Sequence, residues 1–271
     1  MKKGTKTEVF VHYLPIYGCI ATGIIYLSIG MIAILSFLNI KQGGADENSL
    51  LAFLNDFLLG KILIWIILLG TVSYIIWRIY ESLTDPYKYG NNLMGIAQRT
   101  GIALSTIADI LIAYAAIEVL LGIGHIAENG EPTEQRELVA SLLQKNGGSW
   151  LVIAMGSIIC LTALVQFYYG ITKGYKERLD VEHVSSLIKS LIHILATVGY
   201  LARGIIIAII GFFFIKAGVV ENAGYIVNTD KAFDFIGDNL GGICFNLLAI
   251  GTIFYGLFMF AMGVSYDRDK D

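Results

Sequence analysis

Residues 191–217 read LIHILATVGYLARGIIIAIIGFFFIKA, and this stretch decides the fold. It is longer than the roughly 20 apolar residues that a helix needs to cross a bilayer core, and no proline interrupts it. Its glycines, Gly199, Gly204 and Gly211, also recur. Moved by 181 residues they coincide with Gly18, Gly23 and Gly30, while Gly241 and Gly251 fall on Gly60 and Gly70, Tyr255 on Tyr74 and His193 on His12. A match without a gap over two helix-length blocks is the signature of an internal repeat.

Working outward, five more apolar blocks are of spanning length: Tyr13–Leu38, Ile62–Tyr80, Gly101–Gly124, Trp150–Thr172 and Ile243–Val264. Apolar residues make up 56% of the chain and charged residues 15%, against about 45–50% and about 25% in soluble domains. The first block follows Lys2, Lys3 and Lys6 but is too long for a secretory signal and lacks a small-x-small cleavage site. A middle copy fits at a shift of 83 in its first helix and about 86 in its second. The expectation is an all-α membrane protein, one membrane domain over 1–271. Its six transmembrane helices come from three parallel two-helix repeats, 12–90, 95–180 and 190–266, arranged as a pseudo-threefold bundle.

Gly23 and Gly30 lie two turns apart on one helix face, as do Gly204 and Gly211. Small residues so placed let membrane helices approach closely, which predicts that the first helices of the three units meet at the centre. Between the two spans of each unit, Asn48–Leu59, Thr133–Lys145 and Thr229–Leu240 carry apolar residues three and four apart behind a capping residue. They are expected as external amphipathic helices, lying on the membrane surface or covering the bundle, bearing acids such as Asp46, Glu47, Asp230 and Asp234 on a solvated surface.

The run Gly199-Tyr200-Leu201-Ala202-Arg203-Gly204, followed by Gly211 and Lys216-Ala217, resembles the core motif of the bacterial family known as domain of unknown function 1206. The resemblance implies repeated two-helix units, three per chain, in a bacterial inner membrane, and implies no activity. Units one and two depart from the motif: Ile20-Ala21-Thr22-Gly23 and Leu104-Ser105-Thr106 lack the arginine.

Three ionisable residues fall well inside spans: Asp109, Arg203 and Glu118. A charge at that depth costs at least about 2.5–3.5 kcal/mol and is normally paired or exposed to an internal cavity. The repeat alignment sets Arg203 level with Ser105, one turn from Asp109, so an Arg203–Asp109 pair is expected. Glu118 lies on the opposite face, with Tyr114, Gly122 and His125. Arg78 and Gln166, near cytoplasmic helix ends, are expected to reach headgroups or to bond between helices. His12 and His193 sit at helix entrances rather than mid-span, and Cys19, Cys160 and Cys244 have no metal spacing. No cofactor, metal or catalytic motif is expected, and the chain is read as no enzyme.

Twelve Lys and Arg fall on the side of the N-terminus and six on the other, which places both termini of a multi-pass protein in the cytoplasm. Nothing beyond this bias suggests nucleic acid. The expected role is a non-catalytic accessory or scaffold component that binds membrane lipid or another membrane protein; the alternative is a transporter of a small solute, ion or proton with a central polar site. Three parallel units resemble mitochondrial carriers in architecture, although the carriers' proline-acidic-x-x-basic motif is absent. A water-accessible cavity at Asp109 and Arg203 favours transport; a dry bundle favours the accessory role.

Overall fold

The computed structural model describes residues 6–40, 44–85, 90–91, 93–123, 130–179 and 185–265. Among them the chain is helical throughout. The long helices are α1 (Lys6–Phe37), α3 (Leu58–Thr84), α4 (Leu93–Leu121), α6 (Gly148–Thr172), α7 (Ser186–Val220) and α9 (Gly242–Val264). The short ones are α2 (Glu47–Asn55), α5 (Thr133–Leu143) and α8 (Thr229–Leu240). Five of the long helices, all except α4, are long and apolar enough to cross a membrane among the described residues. Their outward faces carry bare apolar side chains such as Leu161, Leu247 and Ile243. Exposed surface of that kind belongs in lipid, so the chain is a multi-pass membrane protein.

The long helices pack on their neighbours in chain order except between α4 and α6. α1 meets α3, α3 meets α4, α6 meets α7, α7 meets α9, and α9 returns to α1. Inside the first and third units the same residues make the same contact. A Cβ added to Gly18 would lie 2.5 Å from Tyr74 Cβ, and one added to Gly199 2.6 Å from Tyr255 Cα. Gly70 fits against Ala21 and the Tyr17 carbonyl, and Gly251 against Ala202 and the Val198 carbonyl. Every residue of the first set is displaced by 181 positions from its partner in the second.

The glycine faces do not bring the first helices of the units together as expected. Gly23 faces Gly256 and Phe260, and Gly30 faces Ala249 and Ile253, all on α9. Gly204 faces Phe167, and Gly211 faces Cys160, both on α6. The hollow left by each small residue is filled from the second helix of the adjoining unit, so α1, α4 and α7 stand apart from one another. The space between them is the cavity described below.

The three short helices form a cap at one end. α2 begins at Glu47 rather than Asn48, because Asp46 is its N-cap and accepts from Ser49 N at 2.7 Å. It ends at Asn55, and Leu58, expected on its apolar stripe, begins α3 and is exposed. α8 is capped by Asn228, which accepts from Lys231 N, rather than by Thr229. α5 has Pro132 at the cap position and no side-chain bond there. The apolar faces of α2 and α8, with Leu50, Leu51, Leu54, Phe233 and Ile236, are buried in the main core. These helices cover the bundle instead of floating on a membrane surface.

Gly199→Ala forces a methyl into the Tyr255 backbone and is expected to cost about 1–3 kcal/mol, the usual range for overpacking. Lipid-facing Leu161→Ala serves as the control. The thermal midpoint of the purified protein should fall for the first variant and hold for the second; equal midpoints would contradict this packing.

Candidate functional site

The candidate site is a cavity of about 480 Å³ enclosed by all six long helices and the starts of α2, α5 and α8. Its mouth lies between α4 and α6, where Leu111 and Tyr114 of one helix and Met155 of the other line it and are exposed. Isoleucines of α4, α6 and α7 form much of the wall. Set into that wall are Arg78, Asp109, Gln166 and Arg203, with Tyr26 and Tyr255 beside them.

The expected Arg203–Asp109 ion pair is not formed. Asp109 instead lies 3.8 Å from Arg78 Nε, so Arg78 turns inward and does not reach for headgroups. Arg78 donates to Tyr74 Oη at 2.9 Å and lies 4.4 Å from the centroid of the Tyr74 ring. Arg203 donates to Tyr255 Oη, and its guanidinium stands 4.6 Å from the centroid of the Tyr26 ring and 4.8 Å from that of Tyr255. Aromatic faces attract a desolvated cation, and both arginines use this. The tyrosines are repeat equivalents, each seated by the glycine that faces it. The i, i+4 spacing of Tyr74 and Arg78 was open to view in the sequence; Tyr255 reaching Arg203 depends on α7 and α9 being neighbours.

Three residues that line this cavity each hold a buried polar atom with no hydrogen-bond partner among the described residues: Asp109 Oδ2, Gln166 Oε1 and Arg203 Nε. Gln166 therefore belongs to the site, which sequence reasoning missed. Glu118 does not line the cavity; its carboxylate is within side-chain bonding reach of Tyr114. His193 meets the Tyr175 hydroxyl at 3.3 Å, away from the cavity. His125 and the His12 side chain lie outside the described residues. The four glycines Gly23, Gly30, Gly204 and Gly211 shape the helix packing and line no part of the cavity.

At the capped end the loops of all three units are tied together. Asn228 Nδ2 donates to Asp46 Oδ2 and, at 3.0 Å, to the Gly130 carbonyl. Asp230 Oδ1 accepts from Ala45 N at 2.6 Å, and Thr229 Oγ1 donates to Glu47 Oε2 at 3.2 Å. Lys231 Nζ reaches Glu131 at 3.1 Å, and this bond holds the Glu131 carboxyl below its usual range. Asp46 is only 3% exposed, so the acidic surface expected from sequence is in part a buried joint. Burial pushes Asp46, Glu47 and Glu134 above the usual carboxylate range and lifts Asp230 to about 7.

The sequence comparisons agree on kinship. The family model described as Domain of Unknown Function (DUF1206) matches residues 17–85, 100–173 and 198–265. The chain belongs to this family. The three matched segments are three copies of one unit within this chain. A Bacillus subtilis (strain 168) relative, described as uncharacterized protein YxxB, is 25% identical over 248 residues, 91% of this chain and 88% of the relative. No solved structure matches.

Two outcomes follow from this geometry. Asp230 binds its proton more tightly folded than unfolded, since its folded value is raised to about 7. Its share of stability is full at acid pH and is lost as pH rises through about 7. Asp46 and Asp234 oppose its ionisation and Lys231 favours it. The thermal midpoint of the purified protein should fall from pH 4 to pH 8, and Asp230→Asn should lessen that fall; a midpoint that rises over this range by an amount Asp230→Asn removes would contradict it. Separately, Asp109→Ala takes from Arg78 the carboxylate 3.8 Å away, a loss of about 1–3 kcal/mol for a half-buried pair. The double variant Arg78→Met/Asp109→Leu should melt above the single one, and a double variant less stable than Asp109→Ala would refute the pairing.

Proposed function

We propose that the chain is a six-span protein of the bacterial inner membrane, with both termini cytoplasmic and the cap external, and that it binds and passes a small polar solute through one central site. α4 supplies the sixth span. Its 29 residues extend about 43 Å at 1.5 Å per residue, more than the roughly 30 Å hydrocarbon core. The cyclic order of helix contacts supports a pseudo-threefold arrangement, because each unit's first helix packs on the second helix of another unit. Solute sites of repeat-built transporters lie near the midplane, between the repeats.

The observation that carries this reading is the set of polar side chains lining one cavity with an atom that makes no hydrogen bond. A buried unpaired donor or acceptor costs about 1–3 kcal/mol, and a protein that needed only to hold its helices together would gain by replacing Asp109, Gln166 and Arg203 with apolar residues. Gathering three such side chains in the wall of one cavity suits a binding site, pockets of this kind being apolar with a few convergent polar groups. No bond-making chemistry is assigned to the site. An accessory role, with lipid or another membrane protein as partner, is the competing reading.

Single cysteines at Thr162 and Ile207, both lining the cavity and neither fully buried, separate the two in a background freed of the native thiols. A water-soluble, membrane-impermeant thiol reagent should label both, and leave a cysteine at lipid-facing Leu161 unlabelled. Silent cavity positions, with a membrane protein retained in stoichiometric amount after gentle extraction, would replace transport by the accessory role.

A further inference from the structure

Six acidic or basic side chains line the cavity: Arg78, Asp109 and Arg203 from the long helices, Asp46 and Glu47 from the start of α2, and Glu134 from that of α5. Arg78 and Asp109 lie 3.8 Å apart and offset each other. Asp46 is engaged in the joint at the capped end, where it accepts from Ser49 N and from Asn228 and feels the charge of Lys231. Glu134 is exposed and stays in contact with solvent. Arg203 and Glu47 are left, one positive and one negative, and neither is fully buried.

These two charges line one cavity without meeting. Arg203 stands against the rings of Tyr26 and Tyr255, and among the described residues no carboxylate lies within ion-pairing distance of it. Glu47 accepts from Thr229 Oγ1 at 3.2 Å, which leaves its carboxylate room for further donors. Burial raises the Glu47 carboxyl above its usual range, and Arg203 is among the groups that oppose this. The guanidinium is therefore near enough to act on Glu47 through space, across a gap too wide for contact.

An anion alone would answer Arg203 but set a like charge beside Glu47, and a cation alone would do the reverse; like charges brought together are penalised. A solute that carries both charges answers both groups. A guanidinium suits a carboxylate, and a carboxylate suits the three donors of an ammonium. Ile112, Ile158, Ile207 and Ile210 line the same space and none is fully buried, which favours a branched alkyl body.

We infer that the cavity takes a small zwitterion with a branched apolar side chain, an α-amino acid of the leucine type, its carboxylate held by Arg203 and its ammonium by Glu47. This rests on the cavity being a solute site, as proposed above. Three probes isolate the two charges: leucine, 4-methylpentanoate without the ammonium, and 3-methylbutylamine without the carboxylate. The full-length protein in phosphatidylglycerol nanodiscs at neutral pH is titrated with each by calorimetry.

Leucine should bind about tenfold more tightly than either of the others, the scale of one satisfied buried hydrogen bond or charge. Arg203→Gln should bring leucine down to the level of 3-methylbutylamine, and Glu47→Gln should bring it down to that of 4-methylpentanoate. Should a variant fail to fold, the ranking of the three probes on the unaltered protein decides. Either single-charge probe binding as tightly as leucine would overturn the inference, as would no binding by any probe. Nanodiscs in which phosphatidylethanolamine replaces part of the phosphatidylglycerol separate a free amino acid from a zwitterionic headgroup: unchanged leucine affinity supports the amino acid, and loss of binding would assign the site to the lipid and overturn it. If the cavity cysteines are labelled while no probe binds, only this inference fails; if they are silent, the solute site fails with it.

Discussion

Seating of a tyrosine by a glycine is the interaction on which the interior depends. Gly18 and Gly199 have no side chain, so Tyr74 and Tyr255 on the neighbouring helices press directly against their backbones. Held there, each tyrosine presents its hydroxyl and ring to a guanidinium, Arg78 in one unit and Arg203 in the other. Cations deep in a membrane protein need compensation for lost hydration, and two neutral phenols supply part of it without cancelling the charge. Without the close approach at the glycines the tyrosines would be displaced, and the arginines would lose both bonds and ring contacts. A buried positive charge available to a ligand therefore follows from helix packing decided many residues away.

The same packing opens the cavity. Since Gly23, Gly30, Gly204 and Gly211 draw in the second helices of adjoining units, the first helices are held apart. Bulky residues such as Phe260 and Phe167 fill the seams, and the centre is left to Arg203, Asp109 and Gln166. At one end the space is covered by α2, α5 and α8, whose preceding loops are joined through Asp46, Gly130, Asn228 and Asp230. That joint draws on all three units, so it can hold their ends in register while the mouth between α4 and α6 stays open.

Much of this was legible in the chain. The 181-residue displacement aligned not only glycines but the contacts they make, including Tyr74 with Tyr255, because a repeat preserves packing partners as well as residues. Asp109 and Arg203 stood out as ionisable residues in apolar surroundings, and both line the cavity. Their pairing was misjudged because repeat alignment gives depth along a helix and not direction around the bundle. Arg78 was nearer to Asp109 than its position at a helix end suggested. Gln166 stands out in the sequence as a polar residue near a helix end, but its place in the cavity wall depends on how α6 turns in the bundle. The caps moved by one or two residues at Asp46 and Asn228, where several capping side chains stand in succession and only the backbone geometry chooses among them.

The account stands or falls on α4 crossing the membrane, because only then do the three loops meet on one side. Single cysteines at Ser141 in α5 and Asn239 in α8, against Asn91 and Ser185 at the opposite helix ends, report this directly with an impermeant thiol reagent on intact cells. The six-span arrangement requires Ser141 and Asn239 positions to label from outside, and Asn91 and Ser185 positions to label only after permeabilisation. Labelling of Ser141 and Asn239 from opposite sides would contradict it.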